Sequence, residues 1–179
     1  MIPELNQPYT DKVEALNIKP SARRLLVSIE KQTLHLLENN QTLIEYKVST
    51  GLKPPSNIDG SGGTPLGLHR IRDKIGNGAV LGEVFKGRVS IGKRYQDLDP
   101  ADQKPNLITT RILWLEGLEP GFNTGEDCDS YSRFIYIHGT NHENRIGRPA
   151  SGGCIQISNI DMLTLYNSVE AGDHVFLCE

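Results

Sequence analysis

The chain has 179 residues, which suits one domain, or one domain with a short extension. A formal net charge of -3 and only short basic pairs, such as Arg23-Arg24, leave no arm or face for nucleic acid. No run of about 18 apolar residues occurs, so no membrane-spanning helix is predicted.

Residues 1–23 carry Pro3, Pro8 and Pro20 without a clean period and read as an N-terminal extension, with a short helix possible around residues 10–16. The first strand signal follows: Leu25, Val27 and Ile29 alternate with Leu26, Ser28 and Glu30. With Leu34 to Leu37, the turn-like Glu38-Asn39-Asn40-Gln41 and Leu43 to Val48, it predicts an antiparallel meander of three strands. Residues 49–65, STGLKPPSNIDGSGGTP, cannot form a regular element. A loop of that length inside a compact domain is often functional, and the plain alternative is a surface excursion.

Strand-like runs follow at 67–71, 83–89, 108–115, 133–137 and 154–157. Ser158 with Asp161 three residues on approximates a capping box and opens a short helix over 159–168. Ala171-Gly172-Asp173 ends that region, and 174–178 is a last strand. Many short strands with one helix near the end predict a mainly β fold, a sandwich or barrel.

The stretch HGTNHENRIGRPASGGC, residues 138–154, carries the chemistry. A cysteine attacks as its thiolate, and an adjacent imidazole can take its proton. His138 ends the run Phe134-Ile135-Tyr136-Ile137, and Cys154 begins Ile155-Gln156-Ile157. Neighbouring strands would bring both side chains to one end of the sheet. Gly152 and Gly153 permit a sharp turn into Cys154, aiming the amides of Gly153 and Cys154 at one point, as an oxyanion requires. The Gly139 carbonyl can fix the tautomer of His138. The expected result is a thiol with a lowered pKa, paired with His138. Against this, a lone cysteine is most often a small buried apolar residue, and a histidine at a strand end is often a surface residue.

These residues resemble the catalytic motif of the L,D-transpeptidases, the enzymes with the YkuD-type domain. His138-Gly139-Thr140 opens the motif, Ile146-Gly147 lies within it, and Ser151-Gly152-Gly153-Cys154-Ile155 closes it. Val48-Ser49-Thr50-Gly51, Thr64-Pro65-Leu66-Gly67 and Ala171-Gly172-Asp173 extend the likeness across residues 24–179, the expected catalytic domain. The resemblance implies Cys154 as nucleophile, His138 as base and later acid, the Gly139 carbonyl as its orienting group, and Gly153 and Cys154 as oxyanion donors. It implies a bacterial enzyme of cell-wall biogenesis and cell shape that acts on peptidoglycan stem tetrapeptides through a thioester and passes the acyl group to an amine. It implies no cofactor and no metal. The histidines at 35, 69 and 174 show no metal-ligand spacing.

Two positions depart from the family pattern. Gly152 stands where the motif has a second histidine, and Gln156 where it has Arg or Asn. A transpeptidase with altered preferences is the first expectation. A cell-wall peptide hydrolase (a carboxypeptidase or endopeptidase) using the same Cys-His dyad is the alternative, and a wall-binding relic of the fold is a third.

Tyr136, Ser151, Arg145 and Arg148 are candidate substrate-binding residues, with Arg133 beside them; solvated loop charges are the plainer reading of the arginines. His142 could replace the missing histidine, and Trp114 reads as core. Cys128 and Cys178 would be the bridged pair in an oxidising compartment; otherwise all three thiols are free. Residues 1–24 show no signal peptide, which fits either a cytoplasmic protein or a mature form with a replacement Met1. The resemblance favours the periplasm or cell envelope with a removed signal. A monomer that binds peptidoglycan stem peptides, without nucleic acid or a transmembrane segment, is expected.

Overall fold

The computed structural model describes residues 2–179; Met1, the first residue of the expected extension, lies outside the described residues. The alternating segment after Arg23 forms the expected meander: β1 (Arg23–Ser28), β2 (Thr33–Glu38) and β3 (Gln41–Ser49). Its second turn is Asn39-Asn40, both left-handed (φ 47° and 68°), between the paired residues Glu38 and Gln41. A two-residue turn of this hand matches the strand twist, and asparagine tolerates it better than most side chains.

The remaining strands are β4 (Gly67–Ile75), β5 (Glu83–Lys86), β6 (Val89–Arg94), β7 (Ile108–Gly117), β8 (Tyr136–Gly139), β9 (Ile155–Ile157) and β10 (His174–Cys178). They join in one ten-stranded sheet of order β4-β10-β1-β2-β3-β9-β8-β7-β5-β6. A further β4–β7 pairing closes it into a barrel-like sheet, with the β5–β6 hairpin hanging from β7. Closure pairs the edge of β4 that an open sheet would expose, and leaves a free edge at β6 of the hanging hairpin. The mainly β architecture read from the sequence is the one observed.

Helix α2 (Asn159–Ser168) occupies the span predicted for it, and Ser158 Oγ accepts from the Asp161 amide at 3.2 Å as its N-cap. Met162, Leu165 and Tyr166 bury against Leu25, Val27, Ile137, Ile155 and Ile157 in the main core. The other face of β1 and β10 is covered by α1 (Ile2–Ala15), which buries Leu5, Tyr9 and Val13 on Leu26, Leu68 and Phe176. Burial on both faces explains why β1 and β10 are continuous apolar runs. The helix is longer than the span 10–16 suggested by the sequence. Leu5, Tyr9 and Val13 are four apart and share one stripe, and Pro8 falls on the exposed side.

Two expectations need correction. The run 83–89 is not one strand but the start of a hairpin, turning at Gly87-Arg88. The run 133–137 becomes strand only at Tyr136, because Phe134 takes a left-handed angle (φ 57°). Of the two readings left open for the cysteines, the structure has all three thiols free.

Candidate active site

Strands β8 and β9 run parallel, with Ile137 opposite Ile155 and His138 opposite Gln156. Since successive side chains alternate, Ile137, Ile155 and Ile157 enter the main core. Tyr136, His138, Cys154 and Gln156 therefore share the other face, where Cys154 packs against a small cluster of Phe85, Ile112, Trp114 and Tyr136. The structure thus brings His138 and Cys154 onto one face of adjacent strands, two positions out of register. No hydrogen bond joins the two. The sulfur lies 3.4 Å from the Tyr136 amide, which donates to it, and 3.4 Å from the Phe134 carbonyl, to which the thiol donates.

His138 is buried, and its Nδ1 lies 2.7 Å from the Gly139 carbonyl oxygen. A carbonyl only accepts, so Nδ1 carries the proton and Nε2 is left with a lone pair. This is the orienting contact expected of Gly139. Burial drives the imidazole down to about 4 and the Cys154 thiol up to about 11, because neither charged form is solvated there. The expected lowering of the thiol pKa is therefore overturned. The resting pair is a neutral thiol and a neutral imidazole, not a thiolate and an imidazolium.

Gly139 is packed so closely that a Cβ would lie 2.6 Å from Asn159 Oδ1 and 2.7 Å from the Thr109 carbonyl oxygen. Asn159, the first residue of α2, gathers the strand ends around it. Its Oδ1 accepts from Thr109 Oγ1 at 2.6 Å and Thr110 Oγ1 at 2.5 Å, and its Nδ2 donates to the Thr140 carbonyl at 2.8 Å and Glu143 Oε1 at 2.9 Å. Thr110 holds a left-handed angle (φ 70°) at the bulge in β7, unusual for a β-branched residue. The network immobilises the segment that carries the Gly139 carbonyl. Neither it nor the bulge was read from the sequence; the only local trace was the polar start of α2.

Gly153 takes a φ of 126°, which requires glycine, and leads the chain into Cys154. Ser151 is buried and closes this turn: Oγ donates to the Cys154 carbonyl at 2.5 Å and accepts from the Gly153 amide at 3.1 Å. It braces the turn into Cys154. The Gly153 amide, expected as an oxyanion donor, is engaged by that hydroxyl. A Cβ on Gly152, in contrast, would meet nothing within 4 Å.

The loop 49–65 lies against this turn. The Ala150 and Ser151 amides both donate to the Thr50 carbonyl, and Leu52 donates to that of Ser151, each at 2.9 Å. Arg133 ties down the far part of the loop, donating to the Ser56 carbonyl at 3.1 Å and the Gly63 carbonyl at 2.9 Å, and its charge favours the Cys154 thiolate. Arg148 is exposed and Arg145 half-buried, and no hydrogen bond from either guanidinium occurs among the described residues. His142 bonds through Nε2 to the Lys104 carbonyl at 3.0 Å, an exposed contact. Tyr136 is buried, with its hydroxyl accepting from Arg88 Nη1 at 3.1 Å. Trp114 is 9% exposed, stacked on Tyr131 and edge-on to Tyr136, so it is wall as much as core. Arg88 was missed in the sequence, where it sits inside an apparently continuous strand. No group of three His, Cys, Asp or Glu side chains among the described residues is placed to hold a metal.

A thiol and an imidazole of fixed tautomer on one face of a closed β-sheet, two positions out of register, are residues of the kind that suit acyl transfer. Comparison with known proteins agrees. The L,D-transpeptidase catalytic domain family (YkuD) matches residues 22–177, and the chain belongs to that family. Among solved structures it is similar to an L,D-transpeptidase from Xylanimonas cellulosilytica, with 18% identity, a TM-score of 0.56, and coverage of 89% of this chain and 62% of that one. L,D-transpeptidase 3 from Mycobacterium tuberculosis, in complex with a faropenem-derived adduct, gives 16%, 0.55, 88% and 60%. An L,D-transpeptidase from Mycobacterium smegmatis gives 15%, 0.52, 88% and 59%. These likenesses show a shared fold, and this chain spans about three fifths of the length of those chains. No curated protein matches it. No described helix is long and apolar enough to cross a membrane.

Proposed function

We propose that the protein is a cysteine-dependent peptidoglycan L,D-transpeptidase of the bacterial cell envelope, acting on stem tetrapeptides. The observation that carries this reading is the hydrogen bond from His138 Nδ1 to the Gly139 carbonyl, with Cys154 on the adjacent strand. It leaves Nε2 as a base on the face that the sulfur shares.

The chemistry follows from the neutral resting pair. A peptide carbonyl settles on the sulfur, Nε2 takes the thiol proton, and the S–C bond forms. The oxyanion is met by the Cys154 amide, and by the Gly153 amide once Ser151 Oγ yields it. The C–N bond breaks, and the imidazolium returns its proton to the leaving D-residue amine. An acceptor amine then attacks the thioester, loses a proton to Nε2 and expels the thiolate, which takes that proton back. Burial raises the basicity of the thiolate, and so its intrinsic nucleophilicity, while lowering its resting population. No cofactor is required by these steps.

One observation favours the hydrolytic alternative. Gly152 stands where the family has a histidine; it is exposed and a Cβ there would meet nothing within 4 Å, so no side chain at this position screens a thioester from water. Incubation with muropeptides followed by mass analysis separates the two. Cross-linked dimers or amine exchange support transfer. Loss of a terminal residue without exchange supports hydrolysis, and no change in any muropeptide counts against both.

A further inference from the structure

Arg88 stands at the tip of the β5–β6 hairpin, in a turn where Gly87 and Arg88 both take left-handed angles (φ 53° and 69°). Glycine takes that angle freely, whereas an arginine is strained in it. The turn aims the side chain back over the site. Its guanidinium carbon lies 4.6 Å from the Trp114 ring centre and 5.0 Å from that of Phe134, and Nη1 donates to the Tyr136 hydroxyl at 3.1 Å. Tyr136 is the residue whose amide touches the sulfur.

The charge there is unanswered. Among the described residues no carboxylate pairs with Arg88, and the Tyr136 hydroxyl is its one hydrogen-bond partner. Arg72 makes the contrast. It lies 4.2 Å over Tyr131, which stacks on Trp114 at 3.8 Å, but it is neutralised by Glu116 at 2.7 Å. Two arginines thus sit on one aromatic stack, and of these only Arg88, the one bonded to Tyr136, lacks a counter-ion among the described residues. Arg133 also has no ion pair with a carboxylate among the described residues, yet its donors are spent on the Ser56 and Gly63 carbonyls. Arg88 keeps an unused edge, the fork geometry that grips a carboxylate with two parallel bonds. Phe134 beside it is half exposed, so this edge opens on solvent.

We propose that Arg88 is the specificity residue of the donor subsite. It binds a carboxylate of the acyl-donor peptide while the scissile carbonyl lies on Cys154, with Trp114 and Phe134 as the floor beneath the guanidinium. The assignment rests on the proposed function for its substrate, but its test does not need turnover.

The probe is the ratio of alkylation rates at Cys154 by iodoacetate and by iodoacetamide, read by mass on the Cys154 peptide to separate it from Cys128 and Cys178. The two reagents differ chiefly in charge. Relative to a free thiol, the wild-type ratio favours iodoacetate, and Arg88→Met lowers it by about threefold or more, the effect of one unit charge at short range in a half-solvated site. Arg88→Lys retains most of the preference, and Arg72→Met leaves it unchanged. An unaltered ratio in Arg88→Met overturns the proposal. An equal fall in Arg72→Met also overturns it, since loss of the stack rather than of the charge would then be the cause. With donor peptides, Arg88→Met raises KM more than it lowers kcat for the carboxylate form, and does neither for the side-chain amide. If no peptide is turned over by any variant, the functional reading fails, and the alkylation ratio still decides the role of Arg88.

Discussion

His138 donates from Nδ1 to the carbonyl oxygen of Gly139, the next residue in the chain, at 2.7 Å. That single contact fixes the tautomer, leaves the lone pair on Nε2, and makes the placement of the Gly139 carbonyl a condition of the proposed chemistry.

The neutral resting pair predicts an unusual pH profile for Cys154. With the thiol raised to about 11 and His138 neutral down to about 4, thiolate is scarce at neutral pH. Alkylation of Cys154 by iodoacetamide at pH 7.5 should run about tenfold or more slower than that of a free cysteine, and climb steadily above pH 9. His138→Ala should change this profile little, since there is no ion pair to lose. A midpoint below about 8.5 that rises in His138→Ala would restore the thiolate–imidazolium pair.

Acid should weaken the fold through the same burial. His138 and His69 are both held at about 4, because burial desolvates the charged imidazole at each position and outweighs the opposing bonds to the Gly139 and Gly67 carbonyls. Between pH 6.5 and 4 the unfolded chain binds protons at these positions that the folded chain refuses. Stability therefore falls as pH drops through that window, by a few kcal/mol for the two together, and is insensitive to them above it. Urea unfolding at pH 7 and pH 5 checks this, with His69→Asn expected to flatten the difference.

The Asn159 network predicts that strand-end packing and catalysis fail together. Asn159→Ala strands two threonine hydroxyls and the Thr140 carbonyl, at about 2–3 kcal/mol. Gly139→Ala forces a methyl group to within 2.6 Å of Asn159 Oδ1, at a similar or greater cost. Denaturant titration gives the stability loss. The acylation rate of the still-folded Asn159→Ala fraction should fall as well, because the carbonyl that orients His138 is no longer held.

Gly152→His should be tolerated. A Cβ there meets nothing within 4 Å and the backbone angle is ordinary, so stability should change by less than about 0.5 kcal/mol. A side chain then stands at this position, and the ratio of hydrolysis to transfer should fall. An unchanged ratio would remove the role given to its absence.

Much of the fold was legible because local chemistry and tertiary context agree. The alternation at Leu25 to Ile29, the Asn39-Asn40 turn and the Ser158 cap each act within a few residues, and each was realised. The hairpin at Gly87-Arg88 was not legible, because arginine in a left-handed turn is no turn signal. Within the site, glycine context announced the turn into Cys154, and the motif the hydrogen bond between His138 and the Gly139 carbonyl. The sign of the thiol shift was hidden: it depends on how deeply Cys154 and His138 are enclosed, and on β7 and the β5–β6 hairpin more than on the motif. The same holds for Arg88, Thr110 and Asn159, whose partners come from distant parts of the chain.

The most direct test of the central claim is intact-mass analysis of the protein quenched in acid during reaction with a stem tetrapeptide. A mass increase equal to the tripeptide acyl group, mapped to Cys154, absent in Cys154→Ala and strongly reduced in His138→Ala, is the result expected. An adduct that persists in Cys154→Ala, or a wild-type protein that never gains mass while remaining folded, would contradict it.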